Sequence, residues 1–220
     1  MSRTQPIACV FDLDGTLVDS IPGIDACARA ALAEEAPDLA LPSLRTFIGP
    51  PIRAMLARAL NLADEARLDG LEAAFRRHYD NGGWRDTPVY PGVVETLHWL
   101  HASGAHLYVL TNKPALPTRR ILEHLGLSRL FVEIVSPDSR TPRHASKSAA
   151  ALDLRMRIPP GAKTILVGDS DDDAHAAAAA GFAFAAAAWG YGRIHLSSPP
   201  PAYSLANVAE IRTLVPLFTV

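Results

Sequence analysis

A short apolar run near the start of the chain ends abruptly in two carboxylates separated by a single residue. The run, Ile7 to Phe11, is followed closely by a glycine turn, which predicts a fully buried strand. Because side chains at positions i and i+2 of an extended segment point the same way, Asp12 and Asp14 are expected to project together. Two crowded carboxylates repel each other unless a cation or a shared proton relieves them. We therefore expect a charged site at the carboxyl end of this strand.

Such a pair suits metal binding and covalent chemistry. Mg²⁺ prefers oxygen ligands, so carboxylates at a strand end are suitable partners for it. One carboxylate can act as a nucleophile while the other acts as an acid and a base.

Beyond residue 89 the sequence alternates between strand-like and helix-like segments. Strands are predicted over 106–110, 131–135, 164–167 and 182–187, with helices between them and a closing helix over 208–215. Repeated β-α units favour a parallel sheet with helices on both faces. The expected fold class is α/β, with a Rossmann-like parallel sheet as the core.

The segment that follows the first strand has a different, entirely helical pattern. Its apolar spacing and its proline and glycine breakers predict helices over 21–35, 52–60 and 64–79. We therefore expect two domains. Residues 1–19 and 85–220 form the core, and residues 20–84 form an inserted, all-helical cap.

Composition and charge exclude several classes of function. A formal net charge of −2 offers no basic surface for nucleic acid or anionic membrane. The uncharged stretch 174–192 is mostly alanine, which is too weakly hydrophobic for a membrane span. No signal-peptide pattern is present, and Cys9 and Cys27 are typical of core thiols in a reducing compartment. We expect a cytoplasmic protein that acts on a small molecule; the sequence does not distinguish a monomer from a homodimer.

Polar residues also follow the strand predicted over 106–110. Thr111 and Asn112 come directly after it, at the sheet edge where open α/β folds bind ligands. A hydroxyl at a strand end, with backbone N–H groups nearby, can hold a phosphoryl oxygen. Thr111 and Asn112 are therefore candidate phosphate-binding residues.

A third strand end is strongly acidic. Asp169 follows the strand predicted over 164–167, and three further acids occupy 171–173. Ser170 or Asp171 can cap the next helix, with the other acids complementing its positive end. Capping does not explain four acids in five residues, so we expect some of them to join the site at Asp12.

These stretches resemble the motifs of one family. Phe11-Asp12-Leu13-Asp14-Gly15-Thr16 resembles the first motif of the haloacid dehalogenase (HAD) superfamily in its phosphatase form. Thr111 and Gly168-Asp169 match the second and fourth motifs, and the helical insertion is similar to the C1 cap. The resemblance implies that Asp12 attacks phosphorus to form an aspartyl-phosphate, while Asp14 protonates the leaving group and later activates water.

The resemblance also implies a metal and its ligands. Mg²⁺ is expected at Asp12, the backbone carbonyl of Asp14, and Asp169, with Asp173 in support. Asp172 is the alternative to Asp173.

A lysine is expected to neutralise charge on the phosphoryl group. The candidate is Lys147, which lies 22 residues before Asp169 at a predicted helix start, although Ser146-Lys147-Ser148 departs from the family's Lys-Pro-x-Pro. Lys113 is the rival. Because Pro114 soon begins a helix, we expect the Lys113 side chain at a cap-facing rim, where it meets substrate or solvent.

Within the superfamily the chain is most similar to phosphoglycolate phosphatases. Shared stretches include Phe47-Ile48-Gly49-Pro50-Pro51, Tyr90-Pro91-Gly92, Thr111-Asn112-Lys113 and Trp189-Gly190-Tyr191-Gly192. The expected function is Mg²⁺-dependent hydrolysis of a small phosphorylated metabolite, with Arg45, Arg53 and Lys113 as candidates for substrate selection. The substrate stays open. The alternatives are a phosphomutase of the β-phosphoglucomutase type and a binding or regulatory protein without turnover.

Overall fold

Two compact units make up the chain in the computed structural model, which describes residues 6–192, 194–195 and 198–214. The first unit contains the described residues up to Val18 and those from Val89 onward. The second unit is Asp19–Pro88. Within the described ranges, every helix is too short or too polar to cross a membrane.

The first unit is built on a six-stranded parallel sheet. The strands are β1 (Ile7–Phe11), β2 (His106–Leu110), β3 (Phe131–Val135), β4 (Lys163–Gly168), β5 (Ala183–Ala187) and β6 (Tyr203–Leu205). Their order across the sheet is β3-β2-β1-β4-β5-β6, and each neighbouring pair is parallel. This arrangement confirms the α/β prediction, while the short strand β6 was not expected.

The helices follow in chain order. They are α1 (Ile21–Glu35), α2 (Ile52–Leu60), α3 (Glu65–Asp80), α4 (Val93–Ala102), α5 (Ala115–His124), α6 (Lys147–Arg155), α7 (Asp171–Ala180) and α8 (Ile211–Leu214). The closing helix expected over 208–215 is instead a 3₁₀ turn, Val208–Glu210, followed by α8. Residue 215 lies outside the described residues.

The core of the first unit fills both faces of the sheet. Ala8 and Val10 face a cluster that includes apolar residues of α6 and α7. Cys9 and Phe11 alternate to the opposite face and are equally buried. Burial on both faces explains why β1 is an unbroken apolar run.

The second unit is helical throughout. Its longest helices, α1 and α3, pack together, and α2 packs on α3. Gly23 of α1 allows a close approach, because a β-carbon there would lie 2.3 Å from the Gly83 carbonyl oxygen. Two 3₁₀ turns, Leu44–Thr46 and Gly83–Arg85, complete the unit.

Candidate active site

The register of the sheet brings three strand ends together. Phe11, the last residue of β1, lies level with Val109 of β2 and Val167 of β4. One step further, the Asp12 N–H donates to the Val167 carbonyl oxygen at 3.0 Å. Residues that follow β2 and β4 therefore lie on either side of Asp12 at the carboxyl edge.

Three buried acids and one buried lysine form the centre of this edge. The acids are Asp12, Asp169 and Asp173, and each offers a carboxylate oxygen within 4.8 Å of the others. Lys147 Nζ lies 2.6 Å from Asp12 Oδ1 and 2.6 Å from Asp173 Oδ1. We call these four residues the acidic cluster. The lysine thus bridges two of its three carboxylates.

The electrostatics of the acidic cluster favour an added cation. Burial, with the nearby Asp173 and Asp169 charges, raises the pKa of Asp12 well above its usual range despite the opposing Lys147 ammonium. Burial and the Asp173 charge also raise the pKa of Asp169 to about 6. Burial alone would lower the pKa of Lys147, but the negative charges of Asp12 and Asp173 outweigh the effect of burial, so the pKa is raised. Three carboxylates and one ammonium leave an excess of negative charge in a place where water cannot screen it.

Glycines make room for the acids. Gly15 has φ +89°, and a β-carbon there would lie 2.4 Å from Asp169 Oδ2. At Gly168, the last residue of β4, a β-carbon would lie 2.3 Å from Asp173 Cγ. A β-carbon at Gly190 would lie 2.3 Å from the Gly15 carbonyl oxygen and 2.5 Å from Asp169 Cβ. Larger residues at these positions would displace the carboxylates.

The segment that follows β5 holds Asp169 in place. The Tyr191 N–H donates to Asp169 Oδ2 at 2.8 Å. Trp189 Nε1–H donates to the Thr16 carbonyl oxygen at 3.0 Å, which ties this segment to the turn after β1. The sequence marks Trp189-Gly190-Tyr191 only as a stretch shared with the family and predicts no role for it in the site. A Trp-Gly-Tyr run after a buried strand was the available signal.

The beginning of α7 distinguishes Asp173 from Asp172. Ser170 and Asp173 form a reciprocal capping box, in which the Ser170 N–H donates to Asp173 Oδ2 at 3.0 Å and Ser170 Oγ donates at 2.6 Å. Asp172 instead accepts a 2.9 Å hydrogen bond from Asn112 Nδ2. Among the described residues, Asp173 and not Asp172 therefore belongs to the acidic cluster.

Asp14 has a different lysine partner. Lys113 Nζ lies 3.1 Å from both of its carboxylate oxygens. The i, i+2 argument does not extend to Asp14, because β1 ends at Phe11 and the chain turns at once, with the Leu17 N–H donating to the Leu13 carbonyl. Of the two surroundings expected for Lys113, substrate or solvent, the structure excludes solvent, since its side chain is buried against Asp14.

The turn after β2 supplies the remaining predicted residues. Thr111 is buried, and its Oγ1 accepts a 3.1 Å hydrogen bond from the Lys113 N–H. Asn112 reaches Asp172, as described above. Thr111, Asn112 and Lys113 therefore all lie at the same sheet edge as the acidic cluster.

The two arginine candidates lie in the helical unit. Arg45 is exposed within the 3₁₀ turn Leu44–Thr46. Arg53 of α2 donates to Asp69 Oδ1 at 2.6 Å and pairs with Glu65, both on α3. The ion pairs of Arg53 thus join two helices within its own unit.

The acidic cluster fits a divalent metal ion by its chemistry. Its donors are hard carboxylate oxygens, which Mg²⁺ and similar cations prefer, and its excess negative charge matches a cation. The Lys147 ammonium already compensates part of that charge, so the site suits one such ion.

Comparison with known proteins agrees with this arrangement. Residues 8–181 match the model of the haloacid dehalogenase-like hydrolase family, and the chain belongs to that family. It is 35% identical over 173 residues to a phosphoglycolate phosphatase of Pseudomonas syringae pv. syringae, covering 75% of this chain and 63% of that protein. A phosphoglycolate phosphatase of Cereibacter sphaeroides is 38% identical over 170 residues, covering 74% and 76%.

A solved structure resembles the whole chain. It is that of a predicted phosphoglycolate phosphatase from Haemophilus somnus 129pt, with a TM-score of 0.82 and 28% identity. The match covers 97% of this chain and all of the other. The likeness therefore includes residues beyond the family match at 8–181.

Proposed function

We propose that this protein is a Mg²⁺-dependent phosphatase that hydrolyses a small phosphomonoester similar to phosphoglycolate. The observation that carries the proposal is the buried acidic cluster, in which Lys147 Nζ lies 2.6 Å from Asp12 Oδ1. Membership of the hydrolase family and the two named relatives support the same reaction class. Because the aligned region spans 63% of the Pseudomonas protein, its substrate is a hypothesis for this chain.

In the first half of the proposed reaction, an Asp12 carboxylate oxygen attacks phosphorus. The bond between phosphorus and the leaving oxygen breaks, and protonated Asp14 gives its proton to that oxygen. The products are an alcohol and an aspartyl-phosphate on Asp12. Lys147 favours the ionised form of Asp12 against the burial that raises its pKa, and it would offset charge on the phosphoryl oxygens.

In the second half, Asp14 takes a proton from water. The water oxygen attacks phosphorus and the bond to the Asp12 oxygen breaks, which releases inorganic phosphate and restores protonated Asp14. The Thr111 hydroxyl accepts the Lys113 N–H, so its own hydrogen can be donated to a phosphoryl oxygen. Asn112 lies beside it as a second proposed phosphate contact.

Asp12, Asp169 and the backbone carbonyl of Asp14 would hold Mg²⁺, supported by Asp173. When bound, the ion supplies charge neutralisation for the phosphoryl oxygens. The donor set of the acidic cluster supports this assignment.

We also propose a cytoplasmic location, with no nucleic-acid or membrane partner. Cys9 and Cys27 are free thiols, as is usual in a reducing compartment. Burial raises the pKa of Cys9 to about 12, which keeps its thiol unreactive. The net charge of −2 supports a small-molecule substrate over a polyanion.

A phosphate-release panel tests the proposal. The purified protein is incubated with 2-phosphoglycolate, sugar phosphates, nucleotides and pyrophosphate, with Mg²⁺ or with a chelator, beside the Asp12→Asn variant. We expect Mg²⁺-dependent release, fastest from a small phosphomonoester, and none from the variant. Isomerisation of a sugar phosphate would support the phosphomutase alternative instead. Binding of a phosphorylated compound without turnover would support the binding-protein alternative.

A further inference from the structure

Lysine is rare in this chain, and two of its lysines lie at the candidate active site. Only three of its 220 residues are lysine, at positions 113, 147 and 163. Lys113 and Lys147 are buried at the candidate active site, and each contacts one carboxylate of the Asp12 and Asp14 pair. The mechanism proposed above uses Lys147 and leaves Lys113 without a role.

The contact between Lys113 and Asp14 is well suited to fixing an orientation. Nζ lies 3.1 Å from each carboxylate oxygen, so the ammonium is centred between the two. The side chains are 6% and 17% exposed, and little water can compete for this pair. An ionised carboxylate has about four lone-pair directions, and this contact uses two of them. About two directions remain beyond this contact, which a reacting group could use.

The backbone around Lys113 is itself anchored. The Thr111 N–H donates to the Val135 carbonyl of β3 at 3.0 Å, and the Lys113 N–H donates to Thr111 Oγ1. Pro114 follows as the N-cap of α5, and Thr118 Oγ1 of that helix donates to the Pro114 carbonyl at 2.8 Å. A lysine held on such a rigid turn can fix the position of its partner.

The placement of Asp14 has a consequence for the acidic cluster. Asp14 is two residues from Asp12, yet its carboxylate is not among the three oxygens that converge with Asp12, Asp169 and Asp173. Without the Lys113 ammonium, the negatively charged Asp14 carboxylate would be attracted toward any cation bound by the acidic cluster.

We propose that Lys113 is a positioning residue that holds the Asp14 carboxyl group toward the leaving group and away from the metal-binding acids. This inference rests on the proposed function, in which Asp14 transfers protons to the leaving oxygen and from water. Loss of this positioning should affect substrates differently, according to the basicity of their leaving groups. A strongly basic alkoxide needs a proton as it departs, whereas a weakly basic phenolate leaves without one.

The experiment compares turnover of an alkyl phosphate with turnover of p-nitrophenyl phosphate. It uses the wild type, Lys113→Met, Lys113→Arg, Asp14→Asn and the double variant Lys113→Met/Asp14→Asn, each checked by thermal melting. We expect Lys113→Met to lower kcat for the alkyl phosphate about tenfold to a hundredfold more than for the aryl phosphate. Lys113→Arg keeps the charge and should restore much of the ratio between the two substrates. Lys163→Met makes the same chemical change at the opposite end of β4 and should leave that ratio unchanged.

The double variant separates positioning from a general structural effect. If Lys113 acts through Asp14, Lys113→Met should not change the substrate ratio further once Asp14 is Asn. Equal losses on both substrates, or the same change of ratio in the Asp14→Asn background, would overturn the inference while the proposed function stands. If Asp14→Asn itself spares the alkyl phosphate, the acid-base role fails, and this inference fails with it. Should Lys113→Met not fold, Lys113→Gln, which also removes the charge, replaces it alone and in combination with Asp14→Asn and is judged by the same criteria.

Discussion

The carboxyl edge of the sheet and the helical unit both carry ion pairs, but the two sets differ in burial. At the sheet edge, the side chains of Lys147 and its partner Asp173 are 3% and 0% exposed. In the helical unit, those of Arg53 and its partner Asp69 are 30% and 73% exposed. Water screens an exposed pair, so its contribution is small, whereas a buried charge that loses its partner is costly.

This difference in burial distinguishes ion pairs that hold helices together from charged groups that are available for a reaction. Arg53 and Arg77 join helices of their unit through pairs at the surface, and Arg67 of α3 pairs with Asp38 in the turn after α1. At the sheet edge, charges are buried together although burial disfavours them, and the raised pKa of Asp169 reflects that cost. A protein gains stability more readily from apolar residues than from such a cluster. We therefore infer that the sheet edge is the site of chemistry, and we expect the ion pairs of the helical unit to be structural contacts.

The largest contrast should come from removing the proposed nucleophile. Asp12→Asn should abolish turnover, because an amide cannot supply the attacking oxygen anion. Asp69→Asn makes the same change in the helical unit and should leave turnover unchanged. Phosphate release, together with circular dichroism to confirm folding, measures both. Undiminished hydrolysis by folded Asp12→Asn protein would refute the assignment.

Removing the lysine of the acidic cluster should have the next largest effect. Lys147→Ala leaves three buried carboxylates uncompensated and should lower kcat at least about a hundredfold, the scale for one electrostatic stabiliser. Lys163→Ala is the matched control. Single-turnover kinetics on p-nitrophenyl phosphate should also rank Lys147→Ala as more damaging than Lys113→Ala. If Lys113→Ala were the more damaging variant, Lys113 and not Lys147 would be the lysine that neutralises charge on the phosphoryl group.

Glycine substitutions should have opposite signs in the two regions. Gly190→Ala forces a β-carbon against the Gly15 carbonyl and Asp169, and should destabilise the protein by about 1–3 kcal/mol. Gly70→Ala, within α3, meets only the end of the Glu35 side chain and should stabilise by about 0.5–1 kcal/mol. Denaturant unfolding measures both.

The same Gly190→Ala variant also tests whether Asp169 is a ligand of the proposed Mg²⁺ ion. Displacement of Asp169 should weaken Mg²⁺ binding about tenfold, as measured by calorimetry. Unchanged stability and unchanged Mg²⁺ affinity would show that this contact relaxes without disturbing the acids.

The smallest effect is expected at Arg53. Arg53→Ala removes the pairs with Glu65 and Asp69, and should lower the melting temperature only slightly, and less at high salt. Steady-state kinetics should show an unchanged KM if the arginine is structural. A large rise in KM at constant melting temperature would instead assign it the substrate role considered from the sequence.

The sequence alone predicted most of the framework. Helices α1 and α2 and strands β2 and β3 have the bounds that apolar spacing and breakers indicated. Asp12, Thr111 and Asp169 each follow a buried apolar run, so a parallel sheet had to bring them to one edge. Strand β6 was missed because three residues after a proline run carry almost no periodic signal.

Only the tertiary structure decided which charges are partners. The sequence favours Asp173 and leaves Asp172 as its alternative. The structure separates them, because successive residues on a helix point about 100° apart and Asn112, which lies 60 positions away, donates a hydrogen bond to Asp172. Lys113 was expected at a rim where it meets substrate or solvent, yet it is buried against Asp14, which lies 99 positions away in the chain. Periodicity reports which face of an element is buried and where the element ends. Which side chains then meet depends on strand order, turn geometry and the room that residues such as Gly190 leave, and none of these is a local property of the sequence.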